Sequence, residues 1–341
     1  MRNILVVFTG GTIGSTAIDG TINTASSQSY KLLELFEKTY SSSNNLSFRS
    51  IQPVQLLSEN LFPSVWETLA KAIEAENVSH FDGIIITHGT DTLAYTAAAL
   101  SLYFNNISIP VLLVSSDMPL DSPKANGLIN FNCAVEFIKQ RKEAGVFVPY
   151  KNQNAKTLIH HGSRIASCLQ MSSDFISIQS KAYLSFEKNS FHQQNVTLPN
   201  DRAPEQLTPH FSTRILLIRP YPGLDYSQYN LNQVEVILHD LYHSGTACTS
   251  SDWGENYSLL QFIEKCRHKG IAFYITPAIK NADTYNSTRL LIDHGAKMIW
   301  NMSLESSYAK LLLAYGNFHT DENINQFLEQ NIAFEHILIS N

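Results

Sequence analysis

Two short polar motifs in this sequence combine glycines with hydroxyl and carboxyl side chains. They are Thr9–Gly14 (TGGTIG) and Thr87–Thr92 (THGTDT), and each directly follows a run of apolar residues. Glycines let a backbone turn sharply and approach a ligand closely. A threonine hydroxyl becomes a useful nucleophile once a neighbouring base takes its proton. We therefore interpret Thr12, Thr90 and Asp91 as candidate catalytic residues; the simpler interpretation is a plain turn after each strand, with Asp91 capping a helix.

The apolar runs before the motifs predict strands that place both motifs at one edge of a sheet. Continuous β-branched runs that alternate with helical patterns are typical of a parallel sheet covered on both faces. The strands predicted in the first half are Ile4–Phe8, Gly83–Ile86, Pro110–Val114 and Val146–Val148, with helices over Ser64–Glu74 and Thr92–Tyr103. Ligands of such sheets bind beyond the carboxyl ends of the strands, which is where the two motifs begin.

The chain of 341 residues is long enough for two domains. A stretch with three prolines and little periodicity predicts a linker over residues 191–212. We expect an N-terminal domain over 1–190 and a C-terminal α/β domain over 213–341. The predicted fold class is therefore α/β, with a larger, doubly wound, mostly parallel sheet first and a smaller α/β domain second.

Composition excludes several functional classes. The net charge of −6 argues against a nucleic-acid partner, whose binding site requires a basic excess. No apolar run approaches the ~18 residues that a membrane span needs, and the first run is too short for a secretory signal. Four scattered cysteines without a CxxC pair, and histidines without an HxH or HExxH grouping, predict neither a metal site nor a disulfide framework. We expect a cytoplasmic protein that needs no metal.

The two motifs resemble the TGGTI and HGTDT signatures of the L-asparaginase (asparaginase/glutaminase) family. Ser58-Glu59-Asn60 is similar to that family's substrate-holding loop, and Gly295–Trp300 is similar to part of its C-terminal domain. The resemblance covers nearly the whole chain. It implies hydrolysis of L-asparagine, or a related small amide, to L-aspartate and ammonia without any cofactor, in a cytosolic homodimer or homotetramer.

The resemblance also implies a role for each matching residue. Thr12 resembles the primary nucleophile, Thr90 the second threonine that activates water or the nucleophile, and Asp91 the group that binds the substrate α-amino nitrogen. The substrate-binding set that it implies is Gly11, Ser58, Glu59, Gly89 and Asp91. A tetrahedral intermediate needs aimed N–H donors, which a glycine turn and a helix start can supply.

Two positions depart clearly from the family pattern, and Asn60 and Thr246 depart from it mildly. Ser167 stands where the family's triad has a lysine, and Thr21 stands where its mobile loop carries a tyrosine. A serine hydroxyl is not basic near neutral pH, so it cannot replace the amine as a base. Three alternatives stay open: Lys156 supplies the amine; catalysis uses another base, His161 or His88, or acts on another amide; or the protein binds its ligand with little or no turnover.

The departures leave three functional hypotheses. The first is a working amidohydrolase with a threonine nucleophile, in which the loop 15–29 forms a lid over the site. The second is a catalytically impaired relative that binds asparagine or aspartate as a sensor or scaffold. The third is an ammonia-producing component of a tRNA-dependent amidotransferase, which the acidic balance and the lack of an accessory domain make less favoured.

Overall fold

The computed structural model describes residues 1–11, 13, 15–18, 21–24, 28–40, 45–280 and 283–338, and only the backbone of residues 15–18, 21–24 and 28–30. The chain divides into two units. Unit 1 comprises residues 1–197 and 204–210, and unit 2 comprises residues 198–203 and 211–341. Among the described residues, no helix has the length and apolarity to cross a membrane.

Unit 1 is built on an eight-stranded sheet. Its strands are β1 (Arg2–Val7), β4 (Leu46–Ile51), β5 (Gly83–Thr87), β6 (Pro110–Val114), β7 (Gly145–Lys151), β8 (Thr157–His161), β9 (Leu184–Glu187) and β10 (Ser190–Gln193). Their order across the sheet is β10-β9-β8-β7-β6-β5-β1-β4. The five strands from β4 to β7 are parallel, and β8, β9 and β10 add antiparallel pairs at the other side. The sequence predicted four of the five parallel strands and none of the antiparallel ones.

Helices cover both faces of this sheet, because successive side chains of a strand point to opposite faces. In β1, Ile4 and Val6 lie in one buried cluster, which includes Phe36 of α1 (Gln28–Thr39) and Phe131 of α4 (Gly127–Gln140). Leu5 and Val7 lie in the other cluster. That cluster takes in Leu69 of α2 (Pro63–Ala75) and Leu93 of α3 (Leu93–Tyr103). The predicted doubly wound sheet is therefore confirmed.

The segment predicted to be a loop or lid, residues 15–29, contains regular structure. An antiparallel hairpin forms from β2 (Ser15–Ile18) and β3 (Thr21–Thr24), and α1 begins at Gln28. Thr21, the residue predicted to stand at the family's tyrosine position, pairs with Ile18 in this hairpin. The start of the predicted linker is also regular, since β10 occupies Ser190–Gln193.

Unit 2 is a smaller α/β layer structure. Its four parallel strands, in the order β11-β12-β13-β14, are β11 (Ile215–Ile218), β12 (Val236–Asp240), β13 (Ala272–Ala278) and β14 (Lys297–Trp300). Its helices are α5 (Leu259–His268), α6 (Asn286–Asp293), α7 (Leu304–Asn317) and α8 (Asp321–Glu329). Phe262 of α5 and Leu291 of α6 pack with the strands in one buried cluster. The predicted second α/β domain is therefore present.

Candidate active site

The turn after β1 can be made only by glycines. Gly10 and Gly11 both have positive φ angles, of 100° and 74°. A Cβ atom on Gly10 would lie 2.5 Å from the Leu56 carbonyl oxygen, and one on Gly11 would lie 2.5 Å from the Gly89 nitrogen. The paired glycines thus bring the first motif against the second. Thr12 follows Gly11 directly in the sequence, and it lies outside the described residues.

Hydrogen bonds tie the two strand ends together beneath these glycines. β1 and β5 are neighbouring parallel strands, with Val7 opposite Ile86. Beyond that pair, the Thr9 hydroxyl donates to the Thr87 carbonyl oxygen at 2.6 Å, and the Thr9 N–H donates to the Thr87 hydroxyl at 3.3 Å. Both threonines are buried. The carboxyl ends of β1 and β5 are therefore held in fixed register where the motifs begin.

A third segment, the 3-10 turn Ser58–Asn60, completes the arrangement. The Ser58 hydroxyl donates to the Asp91 carboxylate at 3.0 Å and accepts the Asp91 N–H at 3.2 Å. The Ser58 carbonyl accepts the Thr92 hydroxyl at 3.0 Å. A Cβ on Gly89 would lie 2.4 Å from the Ser58 hydroxyl oxygen. Ser58 is thus packed onto the second motif so closely that only glycine fits there.

Four of the seven predicted site residues therefore form a continuous series of contacts. Gly11 lies against Gly89, Gly89 against Ser58, and Ser58 against Asp91. Glu59 follows Ser58 in the same turn. The side chains of Glu59 and Asp91 are exposed, that of Thr90 is half-buried, and Ser58 is buried. The Asp91 carboxylate at this edge is therefore exposed, while the Ser58 hydroxyl that bonds to it is buried.

Asp91 does not cap a helix, contrary to the simpler interpretation of the second motif. α3 begins at Leu93, and its N-cap residue, Thr92, makes no capping hydrogen bond through its side chain. The Asp91 carboxylate instead accepts from Ser58, 33 residues earlier in the chain. The Asp91 side chain therefore joins two distant segments of the chain instead of starting α3.

The segment with Ser167 runs along α3 toward Asp91. A Cβ on Gly162 would lie 2.9 Å from the Ala97 carbonyl oxygen of α3, and Ile165 belongs to the same buried cluster as Leu93. At Cys168, burial raises the pKa of the thiol, and the negative charges of Asp174 and Asp91 raise it further. Ser167 is half-buried beside Cys168. Cys168 is therefore close enough to Asp91 to feel its charge, and Ser167, which is predicted to stand at the family's lysine position, precedes it in the chain.

The alternative sources of a base lie elsewhere or are poor bases. Lys156 is exposed and pairs with Glu187 at 3.0 Å. The His161 ring packs against Phe147 and Tyr183, at 5.0 and 4.4 Å between ring centroids, and Phe147 belongs to the cluster on the α4 face, opposite α3. His88 is at the site, but burial lowers its pKa to about 4, outweighing the opposing effects of the Gly89 carbonyl and Asp91.

The strand ends also enclose a small internal cavity. It measures about 10 Å³ and is lined by Thr9, Leu56, Ser58, Leu61, Val65, Leu69, His88 and Gly89. That volume holds at most one water molecule, so this cavity is too small for an amino-acid substrate. Within the described ranges, no three His, Cys, Asp or Glu side chains cluster as a metal site.

Sequence reasoning missed the supporting contacts of this site. The Thr9–Thr87 bonds and the Thr92–Ser58 bond join segments that are far apart in the chain. The available signal was weak: Thr9 and Thr87 are each the first hydroxyl residue after an apolar run. These hydrogen bonds form because the strands that precede them are neighbours in the sheet. The order of the strands across a sheet cannot be read from the sequence alone.

A family model described as "Asparaginase, N-terminal" matches residues 3–197. A glutamyl-tRNA(Gln) amidotransferase subunit from Metallosphaera sedula is 27% identical over 294 residues, which is 82% of this chain and 65% of that protein. The corresponding protein from Aeropyrum pernix is 26% identical over 85% of this chain and 69% of its own length. This chain thus spans about two thirds of these relatives.

Solved structures show the same fold. The thermostable L-asparaginase of Thermococcus kodakarensis superposes with a TM-score of 0.80 at 24% identity, covering 99% of this chain and all of the other (100%). L-asparaginase I of Vibrio cholerae gives a TM-score of 0.79 at 23% identity, covering 99% of each chain. The likeness extends over both units of the chain.

The close approach of Ser58 to Gly89 can be tested by stability. We predict that Gly89→Ala lowers the free energy of unfolding by about 1–3 kcal/mol, because the added methyl overlaps the Ser58 side chain. The double variant Gly89→Ala/Ser58→Gly, which makes room for the methyl, should lose less than the sum of the two single changes. Urea unfolding of the four proteins measures this coupling, and strictly additive losses would contradict it.

Proposed function

Because this chain belongs to the asparaginase family, we propose that it is an amidohydrolase that cleaves the side-chain amide of L-asparagine, or of a related small amide. The products are the corresponding carboxylate and ammonia, and no cofactor or metal takes part. The observation that carries the proposal is the convergence of Gly11, Ser58, Gly89 and Asp91 at the carboxyl ends of β1 and β5.

Each part of the substrate has a chemically matched group. The Asp91 and Glu59 carboxylates attract the α-ammonium group, and the Ser58 hydroxyl, which donates to the Asp91 carboxylate, holds that carboxylate in place. Thr12 attacks the amide carbon, and its hydroxyl proton leaves with ammonia. Water, oriented by Thr90, then hydrolyses the resulting ester and restores the Thr12 hydroxyl. Covalent catalysis of this type divides one difficult step into two easier ones.

The serine at position 167, where the family's triad has a lysine, limits the rate of this reaction because its hydroxyl is not basic. A threonine hydroxyl needs an adjacent base, and the segment near Asp91 offers the Ser167 hydroxyl and the Cys168 thiol, whose pKa is raised by burial. Neither accepts a proton readily at neutral pH. We therefore expect substrate binding to be better preserved than turnover. The lack of a base also favours the alternative function, an asparagine- or aspartate-binding sensor or scaffold.

The named relatives favour a second candidate function. Two of them are components of glutamyl-tRNA(Gln) amidotransferase, and they match more than four fifths of this chain (82% and 85%). A component of that kind would release ammonia for use by a partner protein.

For either function we propose a cytoplasmic homodimer or homotetramer. We propose domain limits at 1–190 and 213–341, with a linker at 191–212 between them. We also propose that residues 15–29 form a lid over the site.

The role of the two threonines is tested by ammonia release from L-asparagine, L-glutamine and their D-isomers. We predict that Thr12→Ala and Thr90→Ala each lower kcat/KM by at least ~10²-fold, as expected when a nucleophile or its activating partner is lost. Thr68→Ala is the control, since that hydroxyl is on the exposed side of α2 and bonds only locally to the Ser64 carbonyl. Turnover that survives both site changes would remove the threonine mechanism.

The effect of the missing amine is tested by restoring it. Ser167→Lys should raise the turnover of L-asparagine at least ~10-fold, because a positioned amine then supplies general-base catalysis. Ser172→Lys adds the same charge at an exposed position five residues later and should leave turnover unchanged. If the two lysine variants behave alike, Ser167 is not the position that limits the rate. L-aspartate binding by thermal shift, in a protein without turnover, would favour the sensor.

A further inference from the structure

His88 is held rigidly at the end of β5. Its backbone N–H donates to the Val114 carbonyl oxygen at 2.9 Å, and its own carbonyl oxygen accepts the Ser115 hydroxyl at 2.5 Å. Its side chain is 2% exposed, and Ser115 is buried beside it. The end of β6 and the residue after it thus hold both backbone polar groups of His88, and its ring is buried.

The imidazole ring is directed onto the peptide group that follows. Its Nδ1 atom lies 2.7 Å from the Gly89 carbonyl oxygen. A carbonyl oxygen can only accept, so Nδ1 must carry a proton and donate it. Burial also lowers the pKa of His88 to about 4, so the ring is neutral at neutral pH. One tautomer is therefore defined: Nδ1 is protonated and Nε2 is not.

This hydrogen bond restrains Gly89, the residue of the second motif whose backbone has the greatest conformational freedom. Gly89 is obligatory, because a Cβ would lie 2.4 Å from the Ser58 hydroxyl oxygen, yet glycine has the widest conformational freedom of any residue. The peptide group between Gly89 and Thr90 is planar and trans. Because His88 holds the carbonyl oxygen of this peptide, the Thr90 N–H must point in the opposite direction. The positions of Thr90 and Asp91 are restrained as a result.

From this geometry we infer that His88 is a positioning residue: its Nδ1–H locks the Gly89–Thr90 peptide and thereby holds the Thr90 hydroxyl and the Asp91 carboxylate in place for the substrate. The inference rests on the proposed function for its effect on catalysis. With Nδ1 already protonated and donating, only Nε2 could accept a proton, and burial disfavours the charged ring that would result. The Ser58–Asp91 contact restrains the same segment from the other side, so the two contacts together define the second motif.

The test compares His88→Phe with a matched control. Phenylalanine keeps the ring and removes the donor. His160→Phe makes the same change at another buried histidine of unit 1, whose Nδ1 lies 2.7 Å from the Ser177 hydroxyl. For His88→Phe we expect kcat for L-asparagine to fall ~10²-fold, as for a misplaced catalytic group, with a pH profile of unchanged shape. Amide exchange at Thr90 and Asp91 should accelerate about tenfold or more. His160→Phe should change neither kcat nor that exchange.

Several outcomes would overturn the inference. Loss of the acidic limb of the pH profile in His88→Phe would make His88 a base. If kcat and amide exchange are unchanged in His88→Phe, His88 has no positioning role. If kcat falls equally in His88→Phe and His160→Phe, the loss reflects general destabilisation. If the wild type neither releases ammonia nor binds L-aspartate, the proposed function fails by itself. Amide exchange then still decides whether His88 restrains the motif.

Discussion

The contact between Ser58 and the Gly89–Asp91 segment is the interaction on which the rest of this site depends. One hydroxyl donates to the Asp91 carboxylate and accepts the Asp91 N–H, so a single side chain orients both the charge and the backbone. A hydrogen bond to a charged group contributes about 1.5–3 kcal/mol. The contact requires Gly89, and Gly89 in turn requires a separate restraint on its backbone. The sequence G-T-D at this position therefore follows from packing as well as from chemistry.

Much of the fold could be predicted because strong local signals agreed with it. The apolar runs that became β1, β5 and β6 are short, continuous and followed by polar residues, as buried parallel strands are. Elements with weaker signals were missed. β8 ends in His160 and His161, and the hairpin of β2 and β3 is rich in threonine and lacks a strong apolar face. Such strands form because neighbours supply hydrogen bonds, which no local pattern contains.

The site could be predicted as a set of residue types and a location, but not as a set of contacts. The two motifs were expected at one edge of the sheet, and four of the seven candidate residues meet there. Thr12 lies outside the described residues, so its role as nucleophile stays a prediction. The bond from Ser58 to Asp91 spans 33 residues, and the bond from the Ser115 hydroxyl to the His88 backbone carbonyl spans 27. Contacts of that range depend on tertiary packing, which sequence spacing does not encode.

We propose that Ser58, Glu59 and Asp91 together recognise the amino-acid end of a small amide. This proposal can be tested by a crystal structure of the protein with L-aspartate, the product of the proposed reaction. We expect the α-ammonium group within hydrogen-bond distance of Asp91 and Glu59, and the side-chain carboxylate beside Thr12 and Thr90. L-aspartate bound elsewhere, or bound in the reverse orientation at this edge, would contradict it.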